Sequence, residues 1–325
     1  MAEEGESCCS SKALACCCCV GKECGATVCL CPLALHEFQA NGLHADSAQI
    51  FAQRGTFPLI LTAPHGGREP LNGCCKERER GCKVQDDKLD VLTTMLMHKV
   101  PGALCEALQK AQPERGWKRE DCIPYVVIAH AHRKYCDLNR NQENALEDSS
   151  AVPYYASYHG IIAKYVDEVL SKTQSKTVPR LLLDIHGQSA VRDAILRGTK
   201  NRKTVERLLS KFGESAFTGP LSILGQMESQ GFKLFPACSQ LEEAEHPEFN
   251  GGWTVRYYSG CECSSSCCGR DGERNEEEEE AENGLDAAIQ LEMGYEFRKS
   301  EEEMEKVTDG LARAIAAFYS LHTEN

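Results

Sequence analysis

The sequence predicts an α/β fold, a mixed and mostly parallel sheet with helices on both faces. Two observations carry this expectation. From residue 57 onward, short apolar runs of strand length alternate with longer stretches of helical spacing. Several of those runs end directly in ionisable residues, and in open α/β sheets the site lies at the carboxyl ends of the strands.

Phe57-Pro58-Leu59-Ile60-Leu61-Thr62-Ala63 is an apolar run that stops at Pro64-His65-Gly66-Gly67, which predicts a buried strand feeding a loop. Leu89 to Val100 predicts a helix with Asp86 and Asp87 suited to its N-terminal turn, and Ala103 to Ala111 a second helix. Tyr125-Val126-Val127-Ile128-Ala129 is β-branched and predicts the next strand, with His130 and His132 on one face of it by alternation. Tyr154 to Leu170 has helical spacing, so His159 falls mid-helix in a structural role. Leu181-Leu182-Leu183 predicts a strand leading into Asp184-Ile185-His186-Gly187, and Ala194-Ile195-Leu196 follows. A helix is expected over Thr204 to Phe212 and a strand over Ala287 to Glu292. The last helix starts at Ser300 with Glu303 as capping partner, and turns Met304, Val307, Leu311, Ile315 and Phe318 inward.

Composition narrows the function classes. The 325 residues carry 36 Lys and Arg against 49 Asp and Glu, a net charge of −13 that gives a nucleic-acid partner no electrostatic support. Apolar stretches such as Ala13 to Val20 and Ala26 to Leu35 fall well short of the ~20 residues of a membrane span. The start, Met1-Ala2-Glu3-Glu4-Gly5-Glu6, is acidic where a secretory signal is basic. Twenty cysteines are not spread as an extracellular disulfide scaffold would spread them, so an intracellular, cytoplasmic location is expected.

The cysteines mark two segments outside the alternating pattern. Nine of them precede residue 32, in a tail of residues 1–45 that reads as disordered and leaves residues 46–325 as the catalytic domain. The Cys16-Cys17-Cys18-Cys19 run has three readings: thiolate metal binding, S-acylation tethering the chain to a membrane, or compositional bias. A Cys- and Glu-rich insert at about 259–283 reads as a lid, a metal clip or a passive loop.

Two histidines stand out by their settings. His65 and His186 each follow an apolar run and precede glycine, with Glu69 and Asp86 after the first and Asp184 before the second. Two imidazoles and a carboxylate with an open fourth position form the catalytic zinc arrangement. Beyond the second run, Tyr135-Cys136-Asp137-Leu138-Asn139-Arg140-Asn141 offers an Asn–Arg pair able to hold a carboxylate, with Asp137 as acceptor behind His65. Cys136 reads as a small buried residue.

These pieces occur in one order: Pro64-His65-Gly66-Gly67, Asp86 with Leu89 and Leu92, Arg133, Asp137-Leu138-Asn139-Arg140, Asp184-Ile185-His186, Gly251-Gly252 with Arg256, and Gln290-Leu291-Glu292. The ordered set resembles the N-formylglutamate amidohydrolase family, relatives of the zinc carboxypeptidases, over roughly residues 55–320. The resemblance implies a carboxypeptidase-like α/β fold and one Zn²⁺, or another divalent metal, held by His65 and His186. It leaves the third ligand open between Asp86, which is preferred, and Glu69, because position 68 is Arg68 where carboxypeptidases place a glutamate. It implies Glu292 as general base, with Arg133 and Arg256 binding a substrate carboxylate or the oxyanion. Asn139, Arg140 and Gly252 would complete substrate binding, and Asp137 and Asp184 would support the histidines.

The expected reaction is hydrolysis of an N-acyl, and foremost N-formyl, amino acid, with release of formate and glutamate or a close analogue. Its small-molecule substrate is an N-acyl amino acid or short peptide. A carboxypeptidase-like peptidase is the alternative within enzymes. A non-catalytic, Cys-rich metal-binding or membrane-anchored protein is the alternative outside them.

Overall fold

A computed structural model describes residues 49–73, 76–173, 177–238, 240, 243–260 and 284–323. The sheet has seven strands among these residues: β1 (Ile50–Gln53), β2 (Leu59–Ala63), β3 (Tyr125–Ala129), β4 (Leu181–Gln188), β5 (Ala194–Gly198), β6 (Lys233–Phe235) and β7 (Ala287–Gly294). Their order across the sheet is β1-β3-β2-β4-β7-β5-β6. The centre, β3-β2-β4-β7, is parallel throughout. β1 lies antiparallel on β3, and β5 antiparallel on β7 with β6 parallel beside it. The mixed, mostly parallel α/β fold read from the sequence is the fold of the protein.

Strands β2 and β3 are buried at every position, which explains why they read as apolar runs with no alternation, while β7 is equally buried but carries Gln290 and Glu292. One face is covered by α1 (Leu89–Ala111) and the C-terminal α7 (Glu301–His322), which pack along each other. Among the short helices are α2 (Gln142–Ala145), α4 (Glu206–Phe212), α5 (Ile223–Ser229) and α6 (Trp253–Tyr258). The opposite face is covered mainly by α3 (Val152–Lys172), whose Tyr155, Tyr158, Ile162 and Val169 meet Val127 and Leu182 of the sheet. Helix α7 starts as expected, with the Ser300 hydroxyl accepting from the Glu303 amide.

Three expectations change. The two helices before and after Pro101 are one helix, α1, with Pro101 buried inside it. Burial of Leu92, Leu96, Val100, Leu104 and Leu108 on one stripe carries the helix across the proline. His186 does not follow its strand but lies within β4, which runs on to Gln188 because it keeps pairing with β7. His130 and His132 lie beyond the end of β3, where their backbones bond to Glu69 around a bridge between Glu69 and Ala131. Strands β1 and β6, and helices α5 and α6, carry too few residues to show a period.

Among the described residues no helix is long and apolar enough to cross a membrane. The tail of residues 1–45 lies outside the described residues, as does all but the first two residues of the insert.

Candidate active site

The carboxyl ends of β2, β4 and β7 converge on one buried cluster. His65 sits two residues past β2, and Gly66 and Gly67 behind it are needed for close approach. A Cβ on Gly66 would collide with the Asp90 backbone at the start of α1, and one on Gly67 with the His130 carbonyl. This contact brings the segment before α1 against the histidine, and the Asp86 amide donates to the His65 carbonyl at 3.0 Å.

Three potential ligand atoms meet there. His65 Nδ1 and His186 Nδ1 are 3.2 Å apart, and Asp86 Oδ2 lies 3.4 Å from the first and 3.2 Å from the second. All three residues are buried. Each imidazole turns its other nitrogen to a carboxylate: His65 Nε2 to Asp137 Oδ1 at 2.7 Å, and His186 Nε2 to Asp184 Oδ2 at 2.8 Å. Asp184 is fixed in turn by the Thr62 hydroxyl, which donates to its Oδ1 at 2.6 Å.

The group could hold a metal ion, and its geometry fits one. Protons on the two Nε2 atoms leave both Nδ1 lone pairs facing the same point as a carboxylate oxygen. Tetrahedral zinc with bonds of ~2.0–2.1 Å puts its donors about 3.3 Å apart, the spacing seen here.

The charges of the cluster are mutually dependent. Burial pushes the Asp86 carboxyl up, but hydrogen bonds from His186 and His65 more than offset it and hold it well below the usual carboxylate range. Burial likewise works against Asp137, and His65 and Arg133 hold it low. His186 is raised despite its burial, because Asp184 and Asp86 favour a proton on it, the cation that a metal would displace.

Glu292 completes the floor. The parallel register pairs it with His186 across β4 and β7. Its Oε1 accepts from Gln290 Nε2 at 2.7 Å, while Oε2 is buried with no hydrogen-bond partner among the described residues. Burial pushes the carboxyl up to about 7, opposed by His186 and reinforced by Asp86.

The other expected residues divide. Arg133 is buried and gives its guanidinium to Asp137 Oδ2 at 2.6 Å and to Asp86 Oδ1 and the Val84 carbonyl at 3.4 Å, while its Nε is buried with no hydrogen-bond partner among the described residues. Asn139 is also buried: its Nδ2 donates to Gln290 Oε1 at 3.1 Å, and its Oδ1 accepts from the Thr254 amide at 3.0 Å. Gly252 donates its amide to Gln290 Oε1 at 2.7 Å, and a Cβ there would strike the Asn139 side chain. Arg140 and Arg256 are exposed above this layer, with Arg140 Nε 3.7 Å from Asp137. Glu69 is exposed and stands outside the His65–Asp86–His186 group, its backbone tied to β3's continuation. Of the two carboxylates weighed as third ligand, only Asp86 reaches the histidines.

Two residues of the cluster had no role assigned from sequence. Gln290 joins Asn139, Gly252 and Glu292 through one amide, and its place two residues before Glu292 on β7 was the available signal. Arg78, buried 3.4 Å from Asp137, lies in a loop with no periodic pattern and gave no signal. His159, expected to be structural, bonds the Leu138 carbonyl at 3.0 Å from α3 and so supports the loop that carries Asn139. Cys136 is buried as expected.

No family model and no curated protein matches the sequence. Solved structures are similar at low identity. An N-formylglutamate amidohydrolase from Ralstonia eutropha aligns over 84% of this chain and 99% of its own, at 14% identity and a TM-score of 0.49. A gene product from Agrobacterium tumefaciens aligns over 85% and 97%, at 12% identity and a TM-score of 0.46. The N-acetylmuramyl-L-alanine amidase of Mycobacterium smegmatis aligns over 82% and 99%, at 13% identity and a TM-score of 0.29. Likeness at this level leaves function to be read from the side chains.

Proposed function

We propose that this chain is a metal-dependent amidohydrolase that cleaves an N-acyl amino acid, N-formylglutamate or a close analogue. The observation that carries the reading is the convergence of two Nδ1 lone pairs and the Asp86 carboxylate beside the buried, half-unpartnered carboxyl of Glu292. His65, Asp86 and His186 hold the metal, which when bound polarises the amide carbonyl and makes an attacking water more acidic. Zinc suits a donor set of two imidazoles and one carboxylate.

The chain's own groups do the rest. Glu292 takes the proton from the attacking water at Oε2, the atom left open when Gln290 occupies Oε1. The same carboxyl then gives that proton to the leaving amine. A carboxyl raised to about 7 is matched to both tasks near neutral pH. Arg133 neutralises Asp86 and Asp137 and offers its Nε–H to the oxygen that gains charge. Asn139, whose amide nitrogen lies 3.1 Å from Gln290 Oε1 and 3.3 Å from His186 Nε2, supports the loop of Arg140, which with Arg256 binds the substrate carboxylate.

The Asn139–Arg140 pair would serve a peptide C-terminus by the same chemistry, so a carboxypeptidase-like activity is the second reading. Both are tested by incubating purified protein, with and without added zinc, with N-formyl-L-glutamate and with short peptides. Zinc-dependent formate release is expected. Release of a free C-terminal amino acid without formate would replace the first reading by the second, and neither product would end both.

A further inference from the structure

A buried cation lies behind the metal group. Arg298 sits in the turn between β7 and α7. Its Nε donates to the Met293 carbonyl at 3.1 Å, its Nη1 to the Asp87 carbonyl at 2.7 Å and its Nη2 to the Gln188 carbonyl at 3.1 Å. Met293 and Gln188 lie at the ends of the adjacent parallel strands β7 and β4, and Asp87 follows the ligand Asp86. One side chain thus joins two strand ends to the segment that brings Asp86 to the histidines.

Arg298 also presses on the residue that holds Asp86. Gly187 is the register partner of Met293, and its amide donates to Asp86 Oδ2 at 3.1 Å, the oxygen that faces both histidines. A Cβ on Gly187 would come within 2.7 Å of Arg298 Cζ and 2.8 Å of Leu89 Cδ2. The guanidinium could give way only by breaking its bonds to three carbonyls, so the position after His186 has to be glycine.

A reciprocal bond runs the other way. Lys88, which precedes α1 with a positive φ of 64°, donates its Nζ to the Lys299 carbonyl at 3.0 Å. A residue other than glycine keeps that backbone form only where its surroundings impose it. The turn of residues 86–88 is therefore clasped twice, by Arg298 on the Asp87 carbonyl and by Lys88 on the Lys299 carbonyl.

Stability alone does not explain the cation. A buried charge adds little net stability over an apolar side chain of the same volume, and the three bonds of this one go to carbonyls rather than to a carboxylate. Burial pulls the guanidinium pKa down, and the charges of Asp86 and Glu292 oppose that pull.

We propose that Arg298 is a positioning residue for the metal group, acting through Gly187 and the clasped turn of residues 86–88 to hold the Asp86 carboxylate on His65 and His186. This rests on the reading of those three residues as metal ligands, and not on which amide is cleaved.

The test is the zinc affinity of the full-length protein, measured by competition with a chelator in the unaltered chain, Arg298→Met, Asp86→Ala and the double variant. Arg298→Met should weaken zinc binding about 10–100-fold, the size expected for a group that orients a ligand. In the Asp86→Ala chain the same replacement should change it by less than about 2-fold, because the ligand it positions is gone. Lys88→Met, at a half-buried position, should weaken zinc binding by a smaller factor, and again only when Asp86 is present. Asp286→Ala, which loosens the opposite end of β7, should leave zinc affinity unchanged.

Equal losses with and without Asp86 would make Arg298 a structural residue and overturn the proposal, as would an unchanged affinity in Arg298→Met. If Arg298→Met does not fold, an unchanged affinity in Lys88→Met overturns it instead, and an Asp86-dependent loss there upholds it. Zinc binding that Asp86→Ala leaves intact would overturn the metal reading and this inference together. An affinity that depends on Arg298 through Asp86, in a protein that cleaves neither N-formyl-L-glutamate nor peptides, would uphold this inference and remove the proposed function.

Discussion

His186 and Glu292 are register partners on the adjacent parallel strands β4 and β7, so an imidazole of the metal group and a buried carboxyl face the same side of the sheet. That pairing fixes the separation of the two backbones by hydrogen bonds, so a would-be metal ligand and a would-be base start from adjacent positions on the sheet. Asp184, two residues before His186, and Gln290, two before Glu292, fall on the same face by the two-residue period of a strand and support their partners.

Replacing Glu292 by glutamine keeps the shape and removes the base. Formate release should fall about 10²–10⁴-fold in kcat, while zinc content stays at the unaltered level. Retained activity would exclude Glu292 from proton transfer.

Metal content separates the two candidate third ligands. His65→Ala, His186→Ala and Asp86→Ala should each lower zinc by about one ion per chain, measured by elemental analysis after dialysis, and Glu69→Ala should not. An unchanged zinc content in both histidine variants would place the metal on the cysteines instead.

Asp137 acts through His65, whose Nε2 it accepts from at 2.7 Å. Asp137→Asn preserves the size but weakens the tautomer that points Nδ1 at the metal. Zinc affinity is expected to drop about 10–100-fold in a competition titration with a chelator.

His159 gives a pH dependence to stability. Burial holds its imidazole down at about 3, against an ordinary 6.5. The unfolded chain therefore takes up a proton first, and the stability this group contributes above about pH 6.5 is lost as pH falls toward 3, at up to about 1.4 kcal/mol per pH unit. Urea unfolding at pH 7 and pH 5 should show a smaller loss in His159→Gln, which keeps a donor to Leu138 but does not titrate.

Far from the site, the buried Asp286 binds the Arg180 amide at 2.8 Å and its guanidinium at 3.0 Å, and Lys211 at 2.8 Å, pinning the start of β7 to the start of β4. Asp286→Ala leaves Arg180 buried without its counter-charge. About 3 kcal/mol of stability should be lost in urea unfolding, with zinc content unchanged in the folded protein.

Much of this was legible in the sequence, and each success has a local cause. Strands buried on both faces must be apolar without interruption, so β2, β3 and the first half of β4 show themselves as runs. Helices α1, α3 and α7 show themselves by their apolar stripes. The order of His65, Asp137-Leu138-Asn139-Arg140, His186 and Glu292 along the chain supplied the candidate site. Strand β1, four residues on the sheet edge, and β6, three residues long, have too few positions to carry a pattern.

What the sequence determined by itself was the alternation of elements, which depends on neighbours a few residues apart. What the tertiary structure alone decided was which charges meet. Glu69 lies much nearer His65 in the chain than Asp86 does, but Gly66 packs against the start of α1 and draws Asp86 to the histidines, while the Glu69 backbone is taken by the bridge to Ala131.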